Sequence, residues 1–166
     1  MRRGKLGFWY RLVVVVLKPL LLLFTKRDWR GRENVPRTGG VILAVNHISY
    51  VDPLTLSHFV HDLPREPRFL AKAEIFRLPL LGRIVRGADQ IPVHRNSADA
   101  AVALRDAVEA LERGECLIIY PEGTVTRDPE LWPMVGRTGV ARLALTTGCP
   151  VVPVAQWGAH EILMPY

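Results

Sequence analysis

Cysteine is scarce in this sequence, whose 166 residues include only Cys116 and Cys149. The two residues lie far apart, and neither belongs to a Cys-x-x-Cys or Cys/His cluster, so we expect no disulfide framework and no metal site. Such sparse cysteine fits a reducing compartment. The Gly-x-Ser-x-Gly motif is also absent, which argues against a hydrolase that uses an activated serine. We also expect no tightly bound cofactor.

No apolar run is long enough to span a bilayer without interruption. A spanning helix needs roughly 20 mostly apolar residues, whereas the apolar stretch from Phe8 to Phe24 is interrupted by Arg11, Lys18 and Pro19. Because proline breaks or kinks a helix interior, we predict two short helical pieces that lie in a membrane interface. One alternative is a secretory signal peptide, although the segment offers no small-residue cleavage site. The other alternative is an ordinary N-terminal core helix.

Acidic residues are rare at the N-terminus. Residues 1–37 contain ten Lys or Arg and two Asp or Glu, a net charge of +8, whereas the rest of the chain has a net charge of −2. Nucleic-acid-binding domains usually spread their positive charge over the folded surface, so we expect no nucleic-acid partner. Because basic and apolar residues coincide here, we predict that residues 1–30 bind an anionic membrane surface and that residues 31–166 form one domain.

Five short apolar runs alternate with segments typical of helices. The predicted strands cover residues 41–45, 68–71, 90–93, 116–119 and 151–154. The first predicted helix has its start marked twice, by a capping box of Ser49 and Asp52 and by the pair Asp52-Pro53. The others cover 78–86, run from a cap at Ser97 to a stop at Gly114, and cover 138–147. Such alternation produces βαβ crossovers, so we predict an α/β fold with a mostly parallel central sheet flanked by helices, preceded by an interfacial N-terminal helical segment.

Polar residues follow three of the predicted strands. Asn46 and His47 follow the first strand, His94 and Arg95 follow the third, and residues 120–124 follow the fourth. In open α/β sheets the ligand crevice lies beyond the carboxyl ends of the strands. We therefore expect these three loops to form one site at one edge of the sheet.

His47 and Asp52 are a candidate pair for proton transfer. Five residues place them about 140° apart around a regular helix, so they cannot pair within one helix. If His47 lies in the strand-to-helix turn and Asp52 in the first helical turn, the carboxylate can bind one imidazole nitrogen. The other nitrogen is then free to take a proton from an alcohol. The alternative is that Asp52 only caps the helix and His47 only satisfies a buried turn.

The motif Asn46-His47-x4-Asp52, followed by the block Tyr120-Pro121-Glu122-Gly123-Thr124, resembles the glycerolipid acyltransferase family. That family includes the lysophosphatidic acid acyltransferases of the PlsC type, and the resemblance extends over about residues 30–154. It implies that His47 is the general base and that Asp52 orients it, the same roles that the loop geometry suggests.

The resemblance also implies substrate-binding residues. Lys72 resembles a basic position that contacts the substrate phosphate, and Arg95 resembles an arginine that binds the phosphate of the acceptor. Glu122, Gly123 and Thr124 belong to a block implicated in acceptor binding. Lys72 and Arg95 could instead be solvated surface charges, and Glu122 could only order its loop against Arg95.

Further positions near these blocks bear on the substrate. Arg137 precedes a predicted helix start, where free backbone N–H groups favour anions, so it is either a further phosphate contact or a surface residue. The segment Val152-Pro153-Val154 matches a block that shapes the acyl-binding side. His94 and Val125 replace an aspartate and an arginine that are common in the family. These two departures concern the acceptor and leave the reaction type intact.

The sequence thus predicts a peripheral enzyme on the cytoplasmic face of the cell membrane, active in phospholipid biosynthesis. It would move a fatty acyl group from acyl-CoA or acyl carrier protein directly to the hydroxyl of a lysophospholipid such as 1-acylglycerol-3-phosphate. One alternative is the same chemistry on another lipid acceptor, a glycolipid or an aminolipid. The other is a non-catalytic module that binds anionic membranes. Because relatives usually continue past the last block, we expect the domain to extend beyond Tyr166.

Overall fold

The computed structural model describes residues 7–63, 65–93 and 97–166 and, for residues 97–101, only the backbone. The strands are β1 (Val41–Val45), β2 (Pro67–Lys72), β3 (Ile91–Val93), β4 (Cys116–Ile119) and β5 (Val151–Val154). The helices are α1 (Phe8–Phe24), α2 (Asp52–Asp62), α3 (Leu81–Gly87), α4 (Ser97–Glu112), α5 (Gly139–Thr147) and α6 (Ala159–Ile162). Two 3-10 turns cover Arg32–Asn34 and Ala73–Arg77.

The five strands form one parallel sheet in the order β3-β2-β4-β1-β5. Val41, Ile42 and Leu43 of β1 are fully buried, as expected for a strand that is covered on both faces. The predicted α/β fold with a parallel sheet is confirmed. Ala44 of β1 pairs with Ile119 of β4, so the loops that follow these two strands leave the same edge of the sheet side by side.

Helices cover both faces of the sheet, so the core has two halves, one on each face. One half packs alternate β1 residues against α2 and includes Val41, Leu43, Val45, Leu56, Phe59 and Val60. The other half packs the opposite face against α4 and α5 and includes Ile42, Leu117, Ala107, Ala110, Leu111 and Leu143. Each fully buried valine, leucine or isoleucine side chain stabilises the fold by roughly 1.5–3 kcal/mol. The carboxyl end of β1 is therefore a rigid support for the loop that carries His47.

Both edge strands contain a proline, Pro92 in β3 and Pro153 in β5. Proline has no N–H to donate to a ladder, which confines it within sheets to edges, strand starts and bulges. The Ile42 N–H donates to the carbonyl oxygen of Pro150 at 3.0 Å, so residue 150 faces β1. Because successive residues of a strand direct their backbone groups to opposite sides, Pro153 faces away from β1. Its missing N–H costs the sheet no hydrogen bond.

Helix α1 is continuous, so the prediction of two short pieces is wrong. Pro19 lies inside it and removes one backbone hydrogen bond. The helix nevertheless contacts the domain through polar side chains. Lys18 Nζ lies 2.6 Å from Asp62 Oδ1, and the Tyr10 hydroxyl oxygen lies 3.1 Å from His61 Nδ1. Among the described residues, no helix is both long enough and apolar enough to cross a membrane.

The starts of α2 and α3 both lie near a proline. Helix α2 begins at Asp52, directly before Pro53, as the Asp52-Pro53 pair predicts, and the Ser49 N–H donates to Asp52 Oδ2 at 2.9 Å, which is half of the expected capping box. Helix α3 begins at Leu81 rather than at Leu78, because Leu78 precedes Pro79 and has an extended ψ of 136°. The remaining predicted strands and helices are confirmed to within two residues at each end.

Candidate active site

His47 lies in the loop between β1 and α2, and Asp52 is the first residue of α2. His47 Nδ1 lies 2.8 Å from Asp52 Oδ2, and the Asp52 side chain is fully buried whereas that of His47 is 14% exposed. Since a carboxylate oxygen accepts, Nδ1 donates, and Nε2 keeps the lone pair that can take a proton from a substrate. The loop geometry expected from the five-residue spacing is present. The catalytic roles of the two residues stay predictions.

Asp52 also fixes the backbone of the loop. Its Oδ2 accepts hydrogen bonds from the Ile48 N–H at 2.7 Å and the Ser49 N–H at 2.9 Å, in addition to the one from His47. The sequence left open whether Asp52 caps the helix or binds the imidazole. The same carboxylate oxygen does both, because it accepts from the backbone at the helix start and from His47 Nδ1. Within the described ranges, no group of three or more His, Cys, Asp or Glu side chains could hold a metal ion.

Glu122 contacts the His47 backbone across the sheet edge. The His47 N–H donates to Glu122 Oε1 at 2.9 Å, and the Met134 N–H donates to Glu122 Oε2 at 2.8 Å. The Thr126 N–H donates to the carbonyl oxygen of His47 at 2.7 Å. Glu122 and Thr126 are both buried. The loop after β4 thus holds His47 through its N–H and its carbonyl, and Glu122 orders that loop. A contact of Glu122 with the acceptor stays a prediction.

Tyr120 stacks on the imidazole of His47. The ring centroids lie 4.1 Å apart with an interplanar angle of 19°, and the ring of Phe69 lies near-parallel to Tyr120 with a centroid distance of 6.4 Å. Burial and, secondly, the negative charge of Asp52 raise the pKa of Tyr120 well above its ordinary value, so the hydroxyl is neutral. That hydroxyl is buried and has no hydrogen-bond partner among the described groups. The sequence placed Tyr120 in the block implicated in acceptor binding but did not predict the stacking, because the stacking depends on the order of β2, β4 and β1.

Asn46 connects the site to the edge strand β5. Its Nδ2 donates to the carbonyl oxygen of Gln156 at 2.9 Å, and its Oδ1 accepts from the Gln156 N–H at 2.6 Å. One side-chain amide therefore satisfies both backbone groups of Gln156, two residues beyond β5. The sequence motif pointed to Asn46 but gave no indication of this partner.

Gly123 and Arg137 meet in the loop that follows β4. Gly123 has a φ of 75°, and a Cβ placed on it would lie 3.3 Å from Arg137 Nε. The Arg137 N–H donates to the carbonyl oxygen of Pro121 at 2.8 Å, and the Arg137 side chain is exposed beside the start of α5. Thr124 is half-buried in the same loop. The structure therefore brings these three predicted substrate-binding residues together near Glu122, while their roles stay predictions.

Of the two predicted phosphate ligands, Lys72 lies within the described residues and Arg95 does not. Lys72 is exposed and ends β2, which pairs with β4 so that Phe69 lies beside Ile118. Three residues further along, Lys72 is at the level of Pro121, on the sheet edge that carries His47. Arg95 lies outside the described residues, so its predicted contact with phosphate is untested.

Comparison with known proteins points to one family. The family model described as "Acyltransferase" matches residues 26–157. The chain is 31% identical over 142 residues to a chloroplastic 1-acyl-sn-glycerol-3-phosphate acyltransferase of Brassica napus, which covers 84% of this chain and 40% of that protein. Bacterial proteins with the same enzyme name are similar as well. The one from Borreliella burgdorferi is 30% identical over 81% of this chain and 52% of its own length.

The protein of that name from Bacillus subtilis is 29% identical, over 90% of this chain and 71% of its own length. The chain therefore spans about two fifths of the plant relative, about half of the Borreliella relative and most of the Bacillus relative. The matched region of the family model contains every predicted site residue from His47 to Arg137.

Proposed function

Because this chain belongs to the acyltransferase family, we propose that it moves a fatty acyl group from a thioester to the hydroxyl of a lysophospholipid in phospholipid biosynthesis. The acceptor is 1-acylglycerol-3-phosphate, as the names of three relatives suggest. The donor is acyl-CoA or acyl carrier protein. The observation that carries the proposal is the 2.8 Å contact between His47 Nδ1 and Asp52 Oδ2, which leaves Nε2 for the acceptor hydroxyl.

In the proposed reaction His47 acts first as a base and then as an acid. Nε2 takes the proton of the acceptor hydroxyl as its oxygen forms a bond to the thioester carbonyl carbon. The tetrahedral intermediate collapses, the carbon–sulfur bond breaks, and the departing thiolate takes the proton back from His47. The products are an ester and a free thiol. No acyl group becomes attached to the protein, and His47 returns to its starting state.

Two neighbours support the charged form of His47 during this cycle. Asp52 Oδ2 accepts from Nδ1, and a hydrogen bond between two charged groups is roughly twice as strong as a neutral one. The face of the Tyr120 ring, 4.1 Å from the imidazole, offers the negative side of its quadrupole to the imidazolium. Both groups stabilise the transition state more than the resting enzyme, which is the requirement for a gain in turnover.

Basic residues at the same edge supply the proposed phosphate site. Lys72 and Arg137 are exposed there, and Arg95 follows β3, the neighbour of β2. An arginine can bind phosphate through two parallel hydrogen bonds, whereas a lysine acts as a point charge. These three cations would place the acceptor headgroup beside His47.

The acceptor and the product are lipids, and we place the enzyme at the anionic surface of the cell membrane, on its cytoplasmic face, as a peripheral protein. The net charge of +8 in residues 1–37 supports this proposal. So does the outer face of α1, whose exposed apolar residues are Phe8, Leu12, Val15, Val16, Leu20, Leu22, Leu23 and Phe24. An apolar face with nearby positive charge is typical of a helix that lies in the interface of an anionic bilayer.

A second candidate function is the same acyl transfer to another lipid, such as a glycolipid or an aminolipid. The observation that favours it is Val125, which stands where the family commonly has arginine and is fully buried. Because a buried valine supplies no charge, the acceptor site of this chain has one cation fewer than the usual pattern.

The test is a thiol-release assay with the purified chain, long-chain acyl-CoA and anionic vesicles that contain one acceptor at a time. We expect release of free thiol with 1-acylglycerol-3-phosphate, and little with acceptors that lack phosphate. His47→Ala should lower turnover by roughly 10²–10⁴, the usual contribution of a positioned base. The matched control is His160→Ala, since His160 is half-buried in α6 and outside the site.

Three results would contradict the proposal in different ways. Equal turnover of folded His47→Ala and wild-type protein would exclude the base mechanism. Faster thiol release with a glycolipid or an aminolipid would favour the second candidate function. Vesicle binding without thiol release from any acceptor would identify the chain as a non-catalytic membrane module.

A further inference from the structure

A second apolar surface lies outside α1. The segment 77–83, which we call the leucine turn, covers the last residue of the 3-10 turn Ala73–Arg77, the link 78–80 and the first three residues of α3. Leu78, Leu80 and Leu81 are all exposed, and Leu80 is 65% exposed. Single exposed leucines are common on protein surfaces, but three within four residues form a patch that calls for a partner.

The backbone of the turn directs these leucines outward. Gly82 is buried against the backbone of Phe76, and a side chain at position 82 would collide with the Phe76 carbonyl. The Gly82 N–H donates to the carbonyl oxygen of Leu78 at 2.8 Å, and Arg86 Nη1 donates to the carbonyl oxygen of Phe76. The turn is therefore fixed by contacts of its own backbone, and the leucines are not needed for the core.

The charge of the surrounding chain identifies the partner. Arg77, Arg83 and Arg86 lie in or next to the turn, and the acidic residues that flank it, Glu74 and Asp89, lie outside it, Asp89 Oδ2 at 3.3 Å from Arg68 Nη1. Arg77 and Arg83 are exposed on either side of the three leucines. Apolar side chains flanked by arginines complement a surface with an apolar interior and anionic headgroups, namely an anionic phospholipid bilayer.

The position of the turn agrees with that partner. The ring of Trp9 near the start of α1 packs directly on Gly87 at the end of α3, so the helix that follows the leucine turn is in contact with α1. In the other direction, the 3-10 turn Ala73–Arg77 leads back to Lys72 at the site edge. Five residues at about 2 Å each place Lys72 roughly 10 Å of chain from the leucine turn.

We propose that the leucine turn is a second membrane-contacting element, which inserts Leu78, Leu80 and Leu81 among the headgroups of an anionic bilayer beside α1. The proposal rests on the membrane-surface reaction described above. Two contacts on one side of the domain fix its orientation, whereas a single helix would leave it free to rotate about the helix axis. The turn holds the edge that carries Lys72 toward the membrane, where a lipid acceptor presents its phosphate.

The experiment compares charge-matched variants of the full chain. Leu80→Glu removes one apolar contact and adds a negative charge at the proposed surface, and Leu145→Glu makes the same change on α5, over the opposite face of the sheet, where Leu145 is 88% exposed. We expect Leu80→Glu to lower binding to vesicles with phosphatidylglycerol by about tenfold or more, because it loses burial of a leucine and gains repulsion. Leu145→Glu should bind as the wild type does.

A second pair of variants tests the charge alone. The double variant Arg77→Gln, Arg83→Gln should weaken binding to anionic vesicles and leave binding to neutral phosphatidylcholine vesicles nearly unchanged. The control is Arg142→Gln, since Arg142 is exposed on α5. Unchanged vesicle binding in Leu80→Glu would overturn the proposal. If the wild type forms dimers in solution and Leu80→Glu does not, while vesicle binding stays unchanged, the turn binds a second copy of the chain instead of a membrane.

Thiol release with a short-chain, water-soluble acceptor separates this proposal from the proposed function. We expect Leu80→Glu to match the wild type in that assay, because the leucine turn contains none of the site residues. A wild type that releases no thiol, combined with loss of vesicle binding in Leu80→Glu, would refute the reaction and keep the membrane contact. An active wild type, combined with unchanged vesicle binding in Leu80→Glu, would refute the membrane contact and keep the reaction.

Discussion

Replacing Glu122 by glutamine changes one oxygen to an NH₂ group at almost the same position. Both carboxylate oxygens accept from backbone N–H groups, Oε1 from His47 at 2.9 Å and Oε2 from Met134 at 2.8 Å. A glutamine side chain has only one acceptor, so whichever way it is turned its NH₂ group meets a backbone donor. Glu122→Gln is therefore not conservative, although its volume hardly changes.

The cost follows from those two contacts. One charge-assisted hydrogen bond is lost and leaves a buried N–H without an acceptor, a loss of about 1–3 kcal/mol. The other bond becomes neutral, which removes about 1 kcal/mol more. We expect the free energy of unfolding to fall by about 3 kcal/mol. For a domain of this size that lowers Tm by roughly 6–12 °C.

The effect on activity distinguishes the two interpretations of Glu122. If the residue positions His47, kcat should fall by roughly 10- to 100-fold, because small displacements of a reacting group are expensive, while KM for the acceptor stays nearly constant. A contact with the acceptor would instead raise KM. Thermal unfolding and thiol-release kinetics at a temperature where both proteins are folded measure these quantities.

The matched control is Glu130→Gln in the same loop. Glu130 is exposed, and among the described residues its Oε2 accepts one long contact, from Trp132 Nε1 at 3.3 Å. We expect its Tm and kcat to equal those of the wild type. An unchanged Tm in Glu122→Gln, or a rise in KM without a fall in kcat, would refute the positioning role.

Four further results are expected. Arg95→Ala should raise KM for a phosphorylated acceptor, and Arg95→Lys should not restore it because lysine cannot form two parallel bonds; steady-state kinetics with a phosphate-free acceptor are the control. Ellman's reagent at pH 8 should titrate Cys149 but not Cys116 in folded protein, since burial raises the pKa of the Cys116 thiol to about 11. Burial lowers the pKa of His58 below 6.5, so the unfolded chain binds more protons and the free energy of unfolding should fall as the pH drops below about 6.5; denaturant titrations of His58→Leu should show a flatter dependence. Binding of residues 1–30 to anionic vesicles should weaken from 0.1 to 1 M salt, as co-sedimentation of the full chain can measure.

Much of the fold could be predicted from local sequence. The bounds of β1, β4 and β5 are confirmed because each strand is a short, continuous apolar run between turn residues. The error at α1 concerns Pro19, which lies inside a helix that also contacts α2 through Lys18 and Asp62 and α3 through Trp9 and Gly87. No window of the sequence contains these contacts. Tertiary contacts override local propensity at this point.

The candidate site contains both local contacts, which the sequence predicts, and long-range contacts, which it does not. The contact of His47 with Asp52 spans five residues and follows from the geometry of one loop. The stacking of Tyr120 on His47 and the contact of Glu122 with the His47 N–H join segments more than seventy residues apart, and they depend on the placement of β4 beside β1. A sequence without its strand order cannot supply that placement.

The outward-facing proline of β5 has a consequence for behaviour at high concentration. An open parallel sheet ends in two edges whose unpaired backbone groups can accept a strand from another molecule, which is a route to aggregation. At the β5 edge of the described sheet the outer row lacks a donor at Pro153. A strand that paired with this edge would therefore lack one ladder hydrogen bond. We infer that Pro153 opposes pairing at the β5 edge, so that Pro153→Val, which restores a donor at the outer row, should increase self-association of the folded chain.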